Sequence, residues 1–260
     1  MSGPIPLRSE EQNHQETDLD KKCQQIFHLN SINSTIIIRQ LPSQGLSFQL
    51  WPAAATLVTL LDRCRAGHPD TSSLSALLEA HQHRRLRILE LGSGTGVVGI
   101  AAAALLRASV TVTDLPHVLS NMRYNIDANA GILGHCGGDV NSEPLSWGDI
   151  GEMETIGRDY DIILASDVVY HDHLYEPLIQ TLKFFLLGSE KEMIFFMAHL
   201  KRWKKESVFF KKANKFFDVK VVYTESPCDG ARVGVKVYVF VKKGSGKLES
   251  HVNNINSNLP

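Results

Sequence analysis

The sequence predicts an α/β fold: a mostly parallel sheet with helices on both faces, an antiparallel hairpin at its C-terminal edge and a separate N-terminal β-hairpin. Two observations predict it. From residue 86 onward, short apolar segments alternate with segments of helix-forming residues, which is typical of parallel strands joined by helical crossovers. Only residues 225–232 separate the last two β segments. Because this link is too short for a helix, those two strands are expected to pair antiparallel.

The segments before residue 86 predict the N-terminal elements. Residues 34–39 and 46–50 are predicted as the two strands of a hairpin, joined by a turn that contains proline and glycine. A helix is expected to begin at Trp51, because proline follows it and residues 53–61 are good helix formers. Residues 66–84 are predicted as a linker or surface insertion.

The core elements follow in alternation. We predict strands over 86–91, 109–113, 160–166, 192–198, 218–224 and 233–241, and helices over 97–106, 118–130, 175–187 and 203–216. Residues 131–143 are predicted as a loop-like insertion, because three glycines interrupt any strand pattern. The polar ends of the chain predict a disordered tail over 1–26 and a flexible tail over 244–260, around one domain at 27–243.

Composition narrows the function classes. The chain has 260 residues, of which 43% are hydrophobic and 21% charged, with a formal net charge of −1. This balance disfavours a nucleic-acid partner, and the basic cluster at 201–205 and 211–212 is interpreted as a solvated helix face. Four scattered cysteines predict neither a metal site nor a disulfide framework. The sequence lacks a signal-like start and an apolar run long enough to cross a membrane. We therefore expect no membrane partner, and we expect a location in the cytoplasm or the nucleus.

A glycine-dense turn predicts a nucleotide-like ligand. The strand over 86–91 carries Glu90 near its end, and Gly92, Gly94 and Gly96 follow before the next helix. Glycine lets a ligand approach the backbone, and the helix N-terminus behind the turn offers unpaired N–H groups. Asp114 ends the following strand, 20 positions after Gly94, a separation at which a carboxylate reaches ribose hydroxyls. A solvated aspartate after a strand is the alternative interpretation.

Further motifs carry a family resemblance. Asp167 and Tyr170 frame the sequence Asp-Val-Val-Tyr at the end of a predicted strand, where ligands of open α/β sheets bind. Together with Trp-Pro-Ala-Ala from Trp51 and Leu-Ser-Trp-Gly-Asp over 145–149, this order resembles the class I S-adenosylmethionine-dependent methyltransferases. Within them, it looks like the seven-β-strand protein-lysine methyltransferases of the methyltransferase-like 21 group. The resemblance implies a Rossmann-like, seven-stranded sheet and S-adenosyl-L-methionine as cofactor.

The resemblance also assigns the site residues. Asp167 and Tyr170 would face the substrate nitrogen, with Asp167 orienting it rather than acting as an obligatory base. The implied cofactor contacts are Trp51, Glu90, Gly92, Ser93, Gly94, Asp114, Trp147 and Ala165. No metal is expected. Two of these residues keep a purely structural alternative, a helix or turn cap for Asp167 and a hydrophobic anchor for Trp51. The loop over 198–202 departs from the family pattern and is left out of the predicted site.

The implied activity is methyl transfer to a lysine side chain of a protein, such as a chaperone or another abundant cytosolic protein, by a monomeric enzyme. Other functions stay open: methylation of a small molecule or a nucleic acid, nicotinamide-dependent oxidoreduction, and binding without catalysis. The absence of a second catalytic domain weighs against the oxidoreductase, and the absence of prolines between Asp167 and Tyr170 weighs against a nucleic-acid methyltransferase. The presence of Glu90, Asp114 and Asp167 together weighs against an inactive module.

Overall fold

A computed structural model of the chain describes residues 23–79, 84–227 and 233–245. Its strands are β1 (Gln24–Leu29), β2 (Ser34–Arg39), β3 (Arg87–Leu91), β4 (Ser109–Asp114), β5 (Asp139–Pro144), β6 (Ile162–Ser166), β7 (Ile194–His199), β8 (Phe217–Thr224) and β9 (Lys236–Lys242). Its α-helices are α1 (Pro52–Arg65), α2 (Ser72–Glu79), α3 (Val97–Leu106), α4 (Leu119–Ala128), α5 (Ala130–Cys136), α6 (Ile150–Ile156), α7 (Tyr175–Gly188) and α8 (Ser207–Ala213).

Seven strands form the central sheet in the order β5-β4-β3-β6-β7-β9-β8. β3 to β7 run parallel, and β9 pairs antiparallel with both β7 and β8. The chain moves outward from β3 to β5 and then returns to place β6 on the other side of β3. Ligands of open α/β sheets bind at such a reversal, beyond the carboxyl ends of the strands. The predicted fold class, including the antiparallel C-terminal hairpin, is therefore confirmed.

The two faces of the sheet bury separate apolar clusters. On β6, Ile162 and Leu164 pack toward the cluster that contains α1 and α3, while Ile163 and Ala165 pack toward the cluster that contains α7 and α8. Successive strand residues point to opposite faces, which produces this division. Helix α3 is buried along almost its whole length, since the sheet covers one side and α1 the other. Both helix layers thereby hold the strand ends at fixed positions.

In the N-terminal hairpin, β2 pairs with a strand that precedes it in the sequence, not with the predicted strand after it. β2 pairs antiparallel with β1, whereas residues 46–48 of the predicted second strand form a 3-10 turn. The prediction of pairing between 34–39 and 46–50 was wrong, and the predicted disordered tail over 1–26 extends too far, because β1 begins at Gln24. β1 escaped notice because its sequence, Gln-Gln-Ile-Phe-His-Leu, is largely exposed and lacks a clear apolar alternation. Residues 1–22 and 246–260 of the predicted tails lie outside the described residues.

Asparagine side chains attach this hairpin to the core. Asn125 accepts a hydrogen bond from the backbone N–H of Arg39 at 2.8 Å and donates to its carbonyl oxygen at 3.1 Å. Asn129 makes the same pair of bonds with Ile37, at 2.9 and 2.8 Å. The two asparagines are four positions apart and so lie on one face of the helical segment. Their side chains pair with backbone N–H and C=O groups on the free edge of β2, which would otherwise lack partners.

Two further predictions need correction. Residues 131–143, predicted as a loop-like insertion, contain most of α5 and of the edge strand β5. Gly137 ends α5 in the left-handed conformation, so the glycines mark a helix end rather than a loop. The helix predicted over 203–216 is α-helical only over Ser207–Ala213, preceded by the 3-10 turn Lys204–Glu206. The other core elements are confirmed, with ends shifted by three residues or fewer.

The described helices and polar side chains show neither a membrane span nor a metal site. In the parts of the chain that the structure describes, no helix is both long enough and apolar enough to cross a membrane. Across the same residues, no group of three or more His, Cys, Asp and Glu side chains is arranged to hold a metal ion.

Candidate active site

One cavity opens at the carboxyl ends of β3, β4 and β6, with a volume of about 310 Å³. That volume lies at the lower end of the range for small-molecule sites, roughly 300–1,000 Å³. The predicted site residues on its wall are Trp51, Gly92, Ser93, Gly94, Asp114, Trp147, Asp167 and Tyr170. Residues from five separate segments of the sequence thus meet around one space, as the sequence analysis expects.

The glycine turn after β3 forms the floor of one half of the cavity. Gly92 and Gly94 have φ angles of +61° and +56°, a region that residues with a Cβ rarely adopt. A Cβ at Gly92 would lie 2.9 Å from Cζ2 of Trp147, and one at Gly94 would lie 2.9 Å from the carbonyl oxygen of Ser47. Both glycines are required here, because a side chain would push against the cavity wall.

Asp114 is held against this turn by backbone groups. Its Oδ2 accepts a hydrogen bond from the N–H of Gly94 at 2.8 Å, and its Oδ1 accepts one from Leu115 at 2.8 Å. Burial raises the pKa of this carboxyl, and the two backbone donors partly offset that rise. Each carboxylate oxygen can accept a second hydrogen bond. Asp114 therefore offers two acceptor sites to a vicinal diol such as ribose.

Glu90 and Ala165, both predicted as cofactor contacts, do not line the cavity. Glu90 is completely buried behind the turn, where its Oε2 accepts a hydrogen bond from the N–H of Gly99 at 2.9 Å. Desolvation raises the pKa of Glu90 to about 8. The carboxyl is thus mostly protonated at neutral pH and positions the start of α3. Ala165 points into the apolar cluster beneath α7. Both residues therefore support the cavity wall from behind.

Two tryptophans border the cavity from different directions. Trp147 lies beside Gly92, and the N–H of the next residue, Gly148, donates to Thr181 on α7 at 2.9 Å. Trp51 immediately precedes α1 at its N-cap and donates from Nε1 to the carbonyl oxygen of Leu46 at 3.0 Å. The 3-10 turn that contains Leu46 is thereby joined to the cavity wall. Trp51 is a cavity residue and an anchor for this turn at once.

Asp167 lines the other half of the cavity and is tightly held. Its Oδ2 accepts from Nη2 of Arg202 at 2.9 Å, and its Oδ1 accepts from Nη1 of Arg202 at 3.2 Å and from the N–H of Leu200 at 2.9 Å. Burial alone would raise the pKa of this carboxyl, but His199, Arg202 and Leu200 outweigh burial and lower it. The side chain caps no helix. It ties the end of β6 to the segment after β7.

Arg202 is a site residue that the sequence analysis missed. It lines the cavity, and its guanidinium carbon lies 5.2 Å from the ring centroid of Trp51. The predicted site does not include 198–202, because the sequence of this segment departs from the family pattern. A positional signal could have found it, since β7 runs parallel to β6 and whatever follows β7 reaches the same sheet edge.

A buried histidine and glutamate lie beneath the ion pair. Nε2 of His199 and Oε2 of Glu206 are 3.1 Å apart, and both side chains are almost completely buried. Glu206 also accepts hydrogen bonds from the backbone N–H groups of Arg202 and Trp203, at 3.0 and 3.2 Å. This arrangement fixes the backbone on which Arg202 stands.

Tyr170 completes the half of the cavity that contains Asp167. Its ring lines the cavity and packs on His171, with 4.8 Å between ring centroids. Burial, and then the negative charge of Asp114, raise the pKa of Tyr170 above its usual value. The phenol is therefore protonated at neutral pH. Because Tyr170, Asp167 and Asp114 all line one cavity, its two halves are continuous.

Comparisons with known proteins agree with this geometry. Residues 30–216 match the family described as lysine methyltransferase. The chain is 33% identical to protein-lysine methyltransferase METTL21E of Mus musculus over 67% of this chain and 70% of that protein. It is 30% identical to protein N-lysine methyltransferase METTL21A of Xenopus tropicalis over 82% of this chain and 91% of that protein. EEF1A lysine methyltransferase 3 of Xenopus tropicalis is 42% identical over 38% of this chain, and the match spans only 41% of that relative.

Solved structures share the fold. The Thermus thermophilus 16S rRNA N2 G1207 methyltransferase, solved with AdoMet and guanosine, has a TM-score of 0.52 and 17% identity, covering 85% of this chain and 51% of that chain. A predicted O-methyltransferase from Agrobacterium tumefaciens, protein Atu636, has a TM-score of 0.50 and 15% identity, covering 67% and 82%. At these identities the likeness concerns the fold alone.

Proposed function

The chain belongs to the lysine methyltransferase family, in its methyltransferase-like 21 group, and we propose on this premise that it transfers a methyl group from S-adenosylmethionine to the side-chain nitrogen of a lysine in a protein substrate. One observation carries the proposal: Asp114 and Asp167, the acids predicted to hold donor and acceptor, line a single cavity. The glycine turn and Asp114 supply the donor half. Asp167, Tyr170 and Arg202 supply the acceptor half.

The donor half fits S-adenosylmethionine in three respects. The turn at Gly92 and Gly94 leaves space where any Cβ would collide with the wall. Asp114 retains a free acceptor position on each oxygen for the ribose hydroxyls. Trp147 borders the same half with an aromatic ring on which an adenine can stack, an interaction worth roughly 1–3 kcal/mol per base. When bound, S-adenosylmethionine supplies a methyl group on a positively charged sulfur.

The acceptor half supplies alignment. A carboxylate has about four acceptor positions, and Leu200 and Arg202 occupy three of those on Asp167. The fourth can accept an N–H of the incoming amine and so orient its lone pair. Tyr170, protonated at neutral pH, contributes an aromatic wall beside that nitrogen. Alignment of this kind is the main requirement for an in-line transfer from an activated donor.

We propose that the substrate is an abundant protein, and two candidates enter the test. One is EEF1A, because a relative of this chain is named EEF1A lysine methyltransferase 3. The other is a chaperone, the class expected from the family resemblance. We further propose that the chain acts as a monomer in the cytoplasm or the nucleus. Light scattering of the purified chain and fractionation of cells that express it test these two points.

Radiolabelled S-adenosylmethionine tests the reaction class. The purified chain is incubated with a lysate of cells that lack it, and labelled protein is hydrolysed and separated into methylated amino acids. We expect label in methyllysine, and no label above background with Asp167→Ala. Label confined to RNA, lipid or small solutes, or to methylated amino acids other than lysine, would contradict the proposal. Calorimetry distinguishes a methyltransferase from the oxidoreductase alternative. We expect S-adenosylmethionine to bind and nicotinamide dinucleotides not to bind.

A further inference from the structure

The ion pair between Asp167 and Arg202 sets the charge of the acceptor half. Arg202 contacts both carboxylate oxygens, so one positive and one negative group lie side by side on the cavity wall. The carboxylate is only 3% exposed and the arginine side chain 28% exposed. Trp51 holds the guanidinium from the other side. This fixed ion pair can therefore interact with any group that enters the cavity.

Lysine chemistry gives this pairing a consequence. A free lysine has a pKa near 10.4, yet its nitrogen must lose its proton before its lone pair can attack. An unpaired carboxylate beside that nitrogen would stabilise the ammonium form and keep the proton on. A guanidinium paired to the carboxylate cancels this effect. The arginine therefore decides which protonation state of lysine the cavity favours.

We propose that Arg202 acts through Asp167 as a positioning residue: it makes the acceptor half of the cavity electrically neutral, so that a lysine side chain is held there as the uncharged amine. The inference rests on the proposed function. The lysine ammonium gives one proton to solvent. Its lone pair then forms the new N–C bond as the S–C bond breaks and the electron pair of that bond passes to sulfur. The methylammonium product carries the positive charge away.

Other charged or titratable groups surround the pair. His199, from β7, lies with Nδ1 3.6 Å from Oδ1 of Asp167 and with Nε2 against Glu206. Glu206 lies 3.1 Å from Nε2 of His199 and accepts hydrogen bonds from two backbone N–H groups. From α7, burial and then the negative charges of Glu206 and Asp172 raise the pKa of Tyr175. Nearer the solvent, Asp172 pairs with Lys205 at 3.6 Å.

Among the described residues that line the cavity, Tyr170 and Asp114 are the titratable groups besides Asp167 and Arg202. Tyr170 is neutral at working pH, since its pKa is raised. Asp114 belongs to the donor half and is bound by backbone donors of the glycine turn. Of the described residues named around the acceptor half, Arg202 is the one with a permanently charged side chain that donates to both oxygens of Asp167.

The test is the pH dependence of lysine methylation. Initial rates of methyllysine formation in the lysate assay are measured at saturating S-adenosylmethionine between about pH 6.5 and about 9.5, a window below and toward the lysine pKa. For Arg202→Gln we expect the rate to fall about tenfold at the acidic end and to recover toward the wild-type rate at the basic end. That corresponds to a rise of about one unit in the midpoint, the low end of shifts caused by a neighbouring charge.

Two further variants separate charge from structure. Arg202→Lys keeps the positive charge but loses the two-pronged contact, so its midpoint should stay at the wild-type value while its plateau falls. The double variant Arg202→Gln with Asp167→Asn removes both charges but keeps a carbonyl oxygen that can accept the amine N–H. Its plateau should fall but stay measurable, unlike that of Asp167→Ala, and its midpoint should return to the wild-type value. The double variant also avoids a buried unpaired carboxylate, which protects the test if the single variant does not fold.

A matched control lies at the other end of the same strand. Arg84 pairs with the buried carboxylate of Asp161, next to the start of β6 and away from the cavity. Arg84→Gln should leave the pH midpoint unchanged. An equal loss of rate at every pH for Arg202→Gln, or a midpoint that stays shifted in the double variant, would overturn the inference. Failure of the wild-type chain to form methyllysine would instead reject the proposed function.

Discussion

Replacement of Asp114 by alanine is the sharpest test of the donor half. The substitution removes the two acceptor positions that the carboxylate offers to the ribose hydroxyls. Hydrogen bonds to charged groups contribute about 1.5–3 kcal/mol. We therefore expect the affinity for S-adenosylmethionine to fall between about tenfold and about a hundredfold, at about 1.4 kcal/mol per factor of ten.

The fold should tolerate this change better than the cofactor does. Burial already disfavours the charged form of Asp114, so its removal relieves a desolvation cost while leaving the N–H groups of Gly94 and Leu115 without their acceptor. These effects oppose each other, and we expect a small change in melting temperature. Methyl transfer at saturating cofactor should also persist, because Asp114 does not contact the acceptor.

Isothermal titration calorimetry with S-adenosylmethionine measures the affinity, and Asp149→Ala is the matched control. Asp149 follows Trp147 closely but caps α6, accepting from the N–H of Glu152 at 3.0 Å. It does not line the cavity, so its loss should weaken the helix start and leave cofactor affinity within about twofold, far below the cost of a lost charged hydrogen bond. An Asp114→Ala variant that binds as tightly as the wild-type chain would refute the assignment of Asp114 to ribose.

Three further predictions follow from the same geometry. Asp167→Ala should still bind S-adenosylmethionine in calorimetry but lose about a hundredfold or more in methyl-transfer rate, the cost of misplaced reacting groups; an unchanged rate would remove Asp167 from the site. Gly92→Ala should weaken cofactor binding, because its Cβ would lie 2.9 Å from Cζ2 of Trp147, whereas Gly157→Ala, also at positive φ but with open space around it, should cost stability only. The folded-state pKa of Glu90 is about 8, against 4.5 for an ordinary glutamate, so between these pH values the folded chain holds a proton that the unfolded chain has lost. The free energy of unfolding should therefore fall as pH rises from about 4.5 to about 8, by up to about 1.4 kcal/mol per pH unit. Glu90→Gln should flatten that slope in urea titrations, and equal slopes for both chains would contradict the raised pKa.

Sequence predicted the fold best where a strand is buried on both faces. β3 and β6 are short, apolar and followed by glycine or aspartate, so their pattern and their ends were both visible. β1 and β5 were missed because they are edge or surface strands with polar sequences, and the pairing that makes them strands comes from elsewhere in the chain. For β2, the partners include Asn125 and Asn129, about 90 positions away. Contacts at such separation leave no periodic trace in a local sequence pattern.

The sequence also predicted the site best at the ends of buried strands. Residues at the ends of buried strands, such as Gly92, Asp114 and Asp167, were found because the topology of parallel strands brings those ends together. Arg202 was missed because its place depends on the bend after β7, which Glu206 fixes by accepting two backbone hydrogen bonds. Glu90 was given a contact with the cofactor, although its side chain points away from the cavity toward Gly99. A motif identifies such a residue but does not give the direction of its side chain.

The most direct measurement uses S-adenosylmethionine with a trideuterated methyl group. Proteins from cells that lack this chain are incubated with the purified enzyme and this donor, digested, and sequenced by tandem mass spectrometry. The account predicts trideuteromethyl groups on the side-chain nitrogen of lysine in one or a few proteins, present with the wild-type chain and absent with Asp167→Ala. Trideuteromethyl groups found only on nucleic acid, lipid or small molecules, or equally abundant with both chains, would contradict it.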